Sequence, residues 1–491
     1  MSSLLADTRR LLDEAALALA GTPLGEECLA LRHRLDEPLR VAIAGRVKAG
    51  KSTLLNALVG DALAPTDADE CTQIVTWYRA GPTPRVTVTP RGAPPRPAAY
   101  RQRDGALRVD LDGAPVDQIE RIVVDWPSSA LAPFTLIDTP GLDSAHDHEV
   151  ADGPSSDPAV AADAADAVIY LLRHMHSTDL AFLESFTADR GAAPSPVQCI
   201  GVLGRADEIG VARPDAMTSA SRIADRYRID PRLRALCSTV VPVSALLAHA
   251  GATLTERDRG ALSALASAHR EAVDELLLDA SLFADSASTG AGGIGPETRR
   301  QLIDRLGLFG VRLAVQQLRE KPEKTAAALG HELVAISGLS ELRRLLTTQI
   351  APRRDLLKSR SALRRLADIL HGHSDGFART IVGRLEAVVA GAHELTEAGL
   401  FAALRASGMG LTDNEIDGAE RLLGRDGTSL TARFGVDEAA ERGVLRTAAL
   451  AELEHWQRRR EHPFAGPDTV YAARVLVRTC EGLLSATHDR P

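Results

Sequence analysis

The feature that most constrains the fold of this chain is a glycine-rich loop, Gly45 to Ser52, with the sequence GRVKAGKS. It fits the pattern GxxxxGK followed by Ser or Thr. The apolar run Leu39 to Ala44 before it predicts a buried strand, and the periodicity of Ser52 to Val59 behind it predicts a helix. Strand, loop and helix in this order surround one point with main-chain N–H groups and the positive end of a helix dipole. The sequence therefore predicts a phosphate-binding loop.

The residue types in this loop suit a nucleoside triphosphate bound with Mg²⁺. Glycine lets the main chain approach phosphate oxygens, the Lys51 ammonium reaches the terminal phosphates, and the Ser52 hydroxyl is a ligand for Mg²⁺. Lys48 is one of only five lysines in a chain rich in arginine, which indicates a use for its compact ammonium. The expected nucleotide-binding residues of the loop are Gly45, Lys48, Ala49, Gly50, Lys51, Ser52 and Thr53.

A second motif, Asp138-Thr139-Pro140-Gly141, directly follows an apolar run. At the end of a strand, the Asp138 carboxylate is suited to hold Mg²⁺ through water, and the Gly141 N–H is suited to sense a γ-phosphate. The alternative is a plain turn that begins with an aspartate. Between the two motifs, the polar loop from Ala64 to Gln73 contains Thr72, a candidate second hydroxyl ligand, with Thr66 as its competitor. The predicted metal ligands are Ser52, Thr72 and Asp138, and the predicted catalytic residues are Lys48, Lys51, Thr72 and Gly141.

A third motif, Gly204-Arg205-Ala206-Asp207, follows another apolar run. The Asp207 carboxylate is suited to accept from both N1–H and N2–H of guanine, and Arg205 is suited to stack on the base; a surface charge pair is the alternative. After a further apolar run, a main-chain N–H at Ser244-Ala245 is a candidate donor to guanine O6, or Ser244 is an ordinary helix N-cap. We expect the base to be bound by Arg205, Asp207 and Ser244.

The alternation of apolar runs with helical patterns from Leu39 to Val243 predicts a mainly parallel sheet covered by helices on both faces. Residues 83–126 alternate apolar and polar positions and are expected to add antiparallel strands. Beyond Ser244 the periodicity is helical, with a break expected near Pro352. The predicted fold class is an α/β P-loop domain with an all-α stalk or bundle built from both chain ends.

Three segments follow from this pattern. Residues 1–36 contain amphipathic helices that need an apolar partner, so we expect them to join the stalk. Residues 37–345 are expected to form the nucleotide-binding domain with a helical extension. Residues 346–491 are expected to form the carboxyl-terminal stalk or bundle.

Composition excludes several classes of protein. A formal net charge of −9 argues against a chain held mainly by nucleic-acid phosphates, so no nucleic-acid partner is expected. The five cysteines are widely spread with no CxxC pair, which indicates neither a zinc site nor a disulfide framework. The amino terminus lacks an apolar targeting segment, and the chain lacks a long uncharged apolar stretch, so we expect a cytoplasmic protein.

These motifs, in this order and spacing, resemble those of the translation-factor-like GTPases and, among them, the GTP-binding domain of dynamin-like proteins. The runs GRVKAGKSTLLNALVG and APTDADECTQIVTW, followed by IDTPG, resemble bacterial dynamins most, in particular the shorter member of the actinobacterial isoniazid-inducible dynamin-like family. The resemblance implies GTP hydrolysis with Mg²⁺ and self-association through the GTP-binding domains or with a dynamin-like paralogue. It also implies peripheral binding and remodelling of a membrane, at the inner face of the plasma membrane.

Two departures from the family pattern affect the site. The guanine motif usually begins with Asn or Thr followed by Lys, whereas this chain has Gly204 and Arg205, so a less strict preference that depends mostly on Asp207 is expected. Eukaryotic dynamins carry Gln and Ser where this chain has Val47 and Lys48. Lys48 stands where guanylate-binding proteins carry a cis arginine finger, which suggests that its ammonium neutralises charge between the β- and γ-phosphates. The alternative is that Lys48 faces solvent or a partner subunit.

Two segments are candidates for membrane contact. Leu306 to Val311 is apolar, with core packing as the stronger alternative. Residues 353–365 hold six positive charges, with a solvated helix face or an interhelical seam as the stronger alternative. An anionic membrane surface is therefore expected mainly from the resemblance. Two other functions stay open: a GTPase that acts on the ribosome or RNA, and a nucleotide-dependent scaffold without hydrolysis.

Overall fold

The computed structural model describes residues 3–64, 74–103, 106–140, 164–187, 195–285, 292–371 and 376–487. Its strands are β1 Leu39–Gly45, β2 Thr76–Ala80, β3 Arg85–Pro90, β4 Arg96–Pro97, β5 Tyr100–Arg103, β6 Ala106–Val109, β7 Ile119–Trp126, β8 Phe134–Asp138, β9 Ala167–Leu172, β10 Cys199–Leu203 and β11 Thr239–Pro242. Strands β5 and β6 form a separate hairpin. The others form one sheet in the order β11-β10-β9-β1-β8-β2-β7-β3-β4.

Five neighbouring strands of the sheet, β11, β10, β9, β1 and β8, are parallel. Strand β2 is antiparallel to β8 and parallel to β7, and β3 pairs antiparallel with β7. The predicted mainly parallel sheet with added antiparallel strands is confirmed, with β2 as an addition to the predicted set. Because the carboxyl ends of β1, β8, β10 and β11 meet at one edge, the motifs that follow these strands come together there.

Helices cover the sheet and form the carboxyl-terminal half of the described chain. They are α1 Leu4–Ala18, α2 Pro23–Arg34, α3 Lys51–Val59, α4 Ser177–Thr187, α5 Ala216–Ile229, α6 Pro231–Arg234, α7 Ala245–Ala252, α8 Glu256–Ser267, α9 Arg270–Leu276, α10 Ala280–Asp285, α11 Pro296–Glu320, α12 Ala326–Ile336, α13 Leu339–Leu345, α14 Arg354–Leu370, α15 Gly376–Gly391, α16 His393–Ser407, α17 Asp413–Leu422, α18 Leu430–Phe434, α19 Arg442–Arg460 and α20 Pro467–Ala486. The expected break near Pro352 is present: one wider and one tighter turn separate α13 from α14. Pro352 lacks the N–H that a continuous helix requires.

The central strand β1 is buried on both faces, because successive side chains of a strand point to opposite sides of the sheet. Val41 and Ile43 share one apolar layer with side chains of α3. Ala42 and Ala44 share the other layer with side chains of α4. The predicted cover of helices on both faces is therefore confirmed.

Helices α8 to α12 form a helical extension with its own apolar core around Phe283 and Phe309. This extension joins the sheet domain through α7, because Leu247 of α7 lies in the same core. Where α7 crosses α12, a Cβ added to Gly251 would lie 2.7 Å from the carbonyl oxygen of Gly330. The two helices therefore touch through their main chains, which fixes the extension beside the carboxyl end of the sheet.

The amino-terminal helices pack on helices from the other end of the chain. Leu11 and Leu12 of α1 share an apolar core with Leu363 and Leu366 of α14 and with Ile381 of α15. Helices α16 to α20 bury a further set of side chains that is continuous with the core of the sheet. A bundle built from both chain ends is therefore confirmed.

Most side chains of the two segments predicted as candidates for membrane contact make contacts within the protein instead. The apolar side chains of residues 306–311 are buried in the core of the helical extension. In the basic run, Lys358, Arg360 and Arg364 donate to main-chain carbonyls that follow α2 or end α4. No single helix in the described ranges is long and apolar enough to cross a bilayer, although one bent pair, Ala378–Gly391 with His393–Gly410, has that length and composition.

Candidate nucleotide-binding site

The loop from Gly45 to Ser52 connects β1 to α3, as the motif predicts. Gly45 has a φ of +145°, and a Cβ there would lie 2.6 Å from the carbonyl oxygen of Leu171, so the position requires glycine. Lys51 reaches back along the loop, where its Nζ donates to the carbonyls of Gly45 at 3.1 Å and Arg46 at 3.0 Å. These contacts hold the ammonium beside the N–H groups at the start of α3.

Lys48 and Gly50 give the loop its curvature. Both have left-handed φ values, +61° and +97°. The Lys48 side chain is exposed, whereas Ala49 is buried. For a residue other than glycine, this backbone conformation costs about 1–2 kcal/mol of free energy. Lys48 therefore stands at a position whose backbone conformation favours glycine.

Ser52 and Asp138 come together from positions 86 residues apart, and the Ser52 Oγ donates to Asp138 Oδ2 at 3.0 Å. Burial raises the pKa of Asp138 to about 6, although the Lys51 ammonium and the Ser52 hydrogen bond act in the opposite direction. The turn after β8 is fixed by Thr139, whose hydroxyl donates to the carbonyl of Ile43 at 3.0 Å. A hydroxyl and a carboxylate therefore stand at one point beside the loop, and these are donors that Mg²⁺ prefers.

A residue that the sequence analysis missed is Asn56, which lies in α3 and is only 1% exposed. Its Oδ1 accepts from the N–H groups of Leu63 at 2.9 Å and Ala64 at 2.7 Å, and its Nδ2 donates to the Ala64 carbonyl at 2.8 Å. The side-chain amide therefore anchors the chain just before residues 65–73, the segment that contains Thr72. The sequence does contain one indication of this role, because Asn56 is the single polar residue of the apolar run LLNALV.

A pocket of about 150 Å³ adjoins the phosphate-binding loop beside the ends of β10 and β11. Its lining includes Ala49, Gly50 and Thr53 from the loop and Arg205 and Asp207 from the third motif. Asp207 is only 6% exposed, and burial raises its pKa. Residues predicted to bind phosphate and residues predicted to bind the base therefore line one pocket.

Ser244 lies beside this pocket and takes the alternative role that the sequence left open, that of a helix N-cap. Its main-chain N–H donates to the Ser337 carbonyl at 2.9 Å. Its hydroxyl caps α7 by accepting from the Leu247 N–H at 3.2 Å and also hydrogen bonds with Asp207. Ala245 lines the pocket and is the first residue of α7, where N–H groups have no partner within the helix. The candidate donor on this turn is therefore Ala245.

Comparisons with known proteins agree with this geometry. Residues 41–205 match the model of the dynamin family. The chain is 39% identical over 455 residues to the isoniazid-induced protein IniC of Mycobacterium tuberculosis, and the alignment covers 92% of this chain and 91% of IniC. The chain belongs to the dynamin family. The predicted family and the predicted fold class are thus confirmed, and as a dynamin-family member the chain is a P-loop GTPase.

Other members of the dynamin family match shorter parts of the chain or match it only weakly. A bacterial dynamin-like protein of Nostoc punctiforme is 31% identical over 116 residues, which is 21% of this chain and 16% of that protein. A solved structure described as an oligomerised bacterial dynamin pair covers 98% of this chain and 79% of its own, with 14% identity and a TM-score of 0.30. That score is too low to bear on the fold.

This dynamin-family site departs from the usual guanine motif at Gly204, where space is short. A Cβ there would lie 2.9 Å from the carbonyl oxygen of Ala49, so the third motif approaches the phosphate-binding loop through its main chain. The next residue, Arg205, has a left-handed φ of +52° and pairs with Glu208 at 2.7 Å. Glu208 also pairs with Arg173 at 2.7 Å. One ion pair therefore holds the Arg205 guanidinium at the edge of the pocket, and a second fixes its partner Glu208.

Three predicted positions, Thr66, Thr72 and Gly141, lie outside the described residues, so their roles stay predictions. The remaining predicted residues of the dynamin-family site do lie together around the loop and the pocket. They are Gly45, Lys48, Ala49, Gly50, Lys51, Ser52, Thr53, Asp138, Arg205, Asp207 and Ser244.

Proposed function

We propose that this dynamin-family chain hydrolyses GTP with Mg²⁺ and couples that reaction to self-association and membrane attachment. Residues 37–345 would be the catalytic domain, and residues 1–36 with 346–491 the helical bundle. One contact carries the proposal: the 3.0 Å hydrogen bond from the Ser52 hydroxyl to the Asp138 carboxylate, beside the Lys51 ammonium. It unites the two motifs that a triphosphate with its metal requires.

The phosphates would be bound by the loop and by the amino end of α3. The first N–H groups of a helix have no partner within it, and the helix dipole favours an anion there. Lys51 already lies beside these N–H groups, so its ammonium is placed for the terminal phosphates. The exposed Lys48 ammonium is proposed to neutralise the charge that develops between the β- and γ-phosphates.

Ser52 and Asp138 would hold Mg²⁺, with Thr72 as the proposed third ligand. The residues fit the ion because their donors are oxygen atoms, and because burial raises the pKa of Asp138, so that a nearby cation is needed to favour the carboxylate. When bound, Mg²⁺ supplies positive charge beside the phosphates. Thr72 and the N–H of Gly141 are proposed to place the attacking water, and we assign no side chain as general base.

The base would be selected mainly by Asp207. A carboxylate accepts from guanine N1–H and N2–H, whereas adenine presents an acceptor at N1. Arg205, held by Glu208, would stack on the base, and the Ala245 N–H would donate to O6. Because Gly204 adds no side-chain contact, we expect the preference for guanine to be weaker than in proteins that carry Asn there.

The proposed membrane contact is the connection between α19 and α20, residues 461–466. Among the described residues, its Phe464 is the most exposed large apolar side chain, at 92%. An aromatic side chain at the tip of a helical hairpin is suited to enter the boundary between lipid head groups and acyl chains. Burial of one phenylalanine contributes about 1.5–3 kcal/mol, which is too little for stable attachment of one molecule. Assembly would present several tips at once, so self-association should control membrane binding.

Phosphate release and liposome sedimentation test this proposal. Turnover should require Mg²⁺, favour GTP over ATP, and rise per molecule with protein concentration. Sedimentation with anionic liposomes should increase with a non-hydrolysable GTP analogue and should be lost in Phe464→Ser. The control is Ile229→Ser, which removes another exposed apolar side chain, at the end of α5. Flat turnover per molecule together with no sedimentation would refute the proposal.

A further inference from the structure

The base pocket has a neighbour that none of the nucleotide motifs includes, the helix α11 of the helical extension. This helix is kinked at Gly307, which has a φ of +66° and a ψ of +171°. That combination is open essentially to glycine alone. A Cβ built on Gly307 would lie 3.7 Å from Asp207 Oδ2 and 3.3 Å from Leu246 Cδ2. Asp207 and Leu246 both line the pocket, so the kink of α11 lies directly behind it.

The kink cannot move away from the pocket easily. The side chains of Leu306 and Phe309, on either side of it, are 1% and 3% exposed and belong to the core of the helical extension. Gly310 lies equally close to α7, since a Cβ there would be 3.1 Å from Leu247 Cδ1. A displacement of α11 would therefore open an apolar core, so the position of the kink is fixed by packing.

The same helix holds the segment that follows the third motif. Arg312 of α11 donates from Nε to the Leu277 carbonyl at 2.9 Å, and its guanidinium also donates to the Ala212 carbonyl. Val211 and Ala212 have left-handed φ values of +61° and +56°. Residues with a Cβ disfavour this conformation, so the contact from Arg312 helps this segment to keep it.

On its other side, the third motif meets the phosphate-binding loop at Gly204. Gly204 meets the phosphate-binding loop through main-chain atoms and has no side chain with which to tie Asp207 to that loop. Asp207 hydrogen bonds with the hydroxyl of Ser244 on α7, and α7 is itself packed on α11 and α12. The contact that fixes the Asp207 carboxylate therefore comes from Ser244 at the start of α7, a helix that is packed on the helical extension.

We propose that α11 takes part in base recognition: Gly307 is a specificity-determining residue that sets the position of Asp207, and Arg312 is a positioning residue that holds the segment after it. This inference rests on the proposed role of Asp207 as the acceptor for guanine. It gives the helical extension a function in nucleotide choice as well as in stability. Substitutions at Gly307 and Arg312 should therefore change which base is preferred, rather than whether phosphate binds.

Competition binding of GTP, ITP and ATP against a fluorescent GTP analogue tests this inference in Gly307→Ala and Arg312→Gln. ITP keeps N1–H but lacks the 2-amino group, so it reports on one of the two hydrogen bonds. We expect each variant to lose roughly tenfold in the ratio of GTP to ATP affinity, with ATP affinity changed less than about twofold. Arg312→Lys should restore part of the ratio. Gly260→Ala, which adds a Cβ to open space, and Arg300→Gln, at an exposed ion pair of α11, should leave it unchanged.

A uniform loss of affinity for all three nucleotides, or an unchanged ratio in a folded variant, would overturn the inference. If Gly307→Ala does not fold, Arg312→Gln decides alone. Asp207→Asn separates this inference from the proposed function. If that variant abolishes a preference present in the native protein while the α11 variants keep it, only the inference fails. If the native protein does not prefer GTP, the role of Asp207 fails and the inference with it.

Discussion

Asp138 allows a test of the proposed metal site that does not depend on activity. Burial raises its pKa from 3.8 to about 6. The folded protein therefore holds this proton more tightly than the unfolded chain does, and the resulting stabilisation is complete below pH 3.8 and is lost as the pH rises through 6. A shift of about two units corresponds to about 3 kcal/mol. Since Asp138 is partly exposed, we take about 1–2 kcal/mol as the cost of its charge at pH 8.

The variant Asp138→Asn removes this charge and keeps the shape of the side chain and an oxygen for the Ser52 hydroxyl. Without metal and nucleotide, we expect its free energy of unfolding at pH 8 to exceed that of the native protein by about 1–2 kcal/mol. The difference should shrink below pH 6, because native Asp138 then takes up a proton. Urea denaturation and thermal unfolding, followed from pH 5 to pH 8, measure it.

Addition of Mg²⁺ and GTP should reverse the order of stability. The native protein should gain stability by binding, whereas Asp138→Asn should gain little because a neutral amide is a poor ligand for Mg²⁺. Asp225→Asn, at an exposed ion pair with Arg228, should behave as the native protein does in both conditions. If Asp138→Asn is no more stable than the native protein at pH 8, without metal and nucleotide, the explanation is refuted.

Three further substitutions test other parts of the structure. Asn56→Ala leaves three buried main-chain groups without partners and should lower the free energy of unfolding by about 2–3 kcal/mol in urea, with slower phosphate release. Glu420→Gln leaves the buried Arg405 and the nearby Arg234 without a carboxylate and should lower it by about 3–5 kcal/mol; an unchanged urea midpoint would contradict this. Turnover of the native protein should be equal in Na⁺, K⁺ and choline buffers and should fall about tenfold or more in Lys48→Ala. Strong dependence of the native protein on K⁺ would count against the hypothesis for Lys48.

The phosphate-binding part of the site could be predicted because its chemistry is local. Nine consecutive residues from Gly45 to Thr53 supply the main-chain approach, the ammonium and the hydroxyl, and a strand before them with a helix behind them fixes their arrangement. Asp138 ends one buried parallel strand and Asp207 follows another, and such strands bring their carboxyl ends to one edge. Spacing and strand pattern were therefore sufficient for these positions.

Contacts between distant segments could not be predicted in the same way. The N–H of Ser244 is occupied by the carbonyl of Ser337, nearly a hundred positions along the chain, and no local pattern connects them. The Sγ atoms of Cys199 and Cys237 lie 3.0 Å apart, although the two residues are 38 positions apart in the sequence. Helical periodicity gives the buried face of a helix but not its partner, so the kink at Gly307 behind the base pocket was not visible in the sequence.

The contacts of the basic run of α14 favour Phe464 over this run as the proposed membrane contact. Arg360 and Arg364 donate to carbonyls at the carboxyl end of α4, where the helix dipole favours a cation, and Lys358 donates to a carbonyl beyond α2, where burial lowers its pKa. Arg360 and Arg364 thus join the bundle to the nucleotide-binding domain, Lys358 ties α14 to the end of the amino-terminal helices, and these three charges are used inside the protein. The chain as a whole has a net charge of −9, which opposes its approach to an anionic surface. The proposed attachment would then depend on burial of Phe464 from several molecules of an assembly at once. Because salt screens the repulsion and leaves apolar burial intact, liposome binding should hold or increase as salt is raised, whereas a basic contact would weaken.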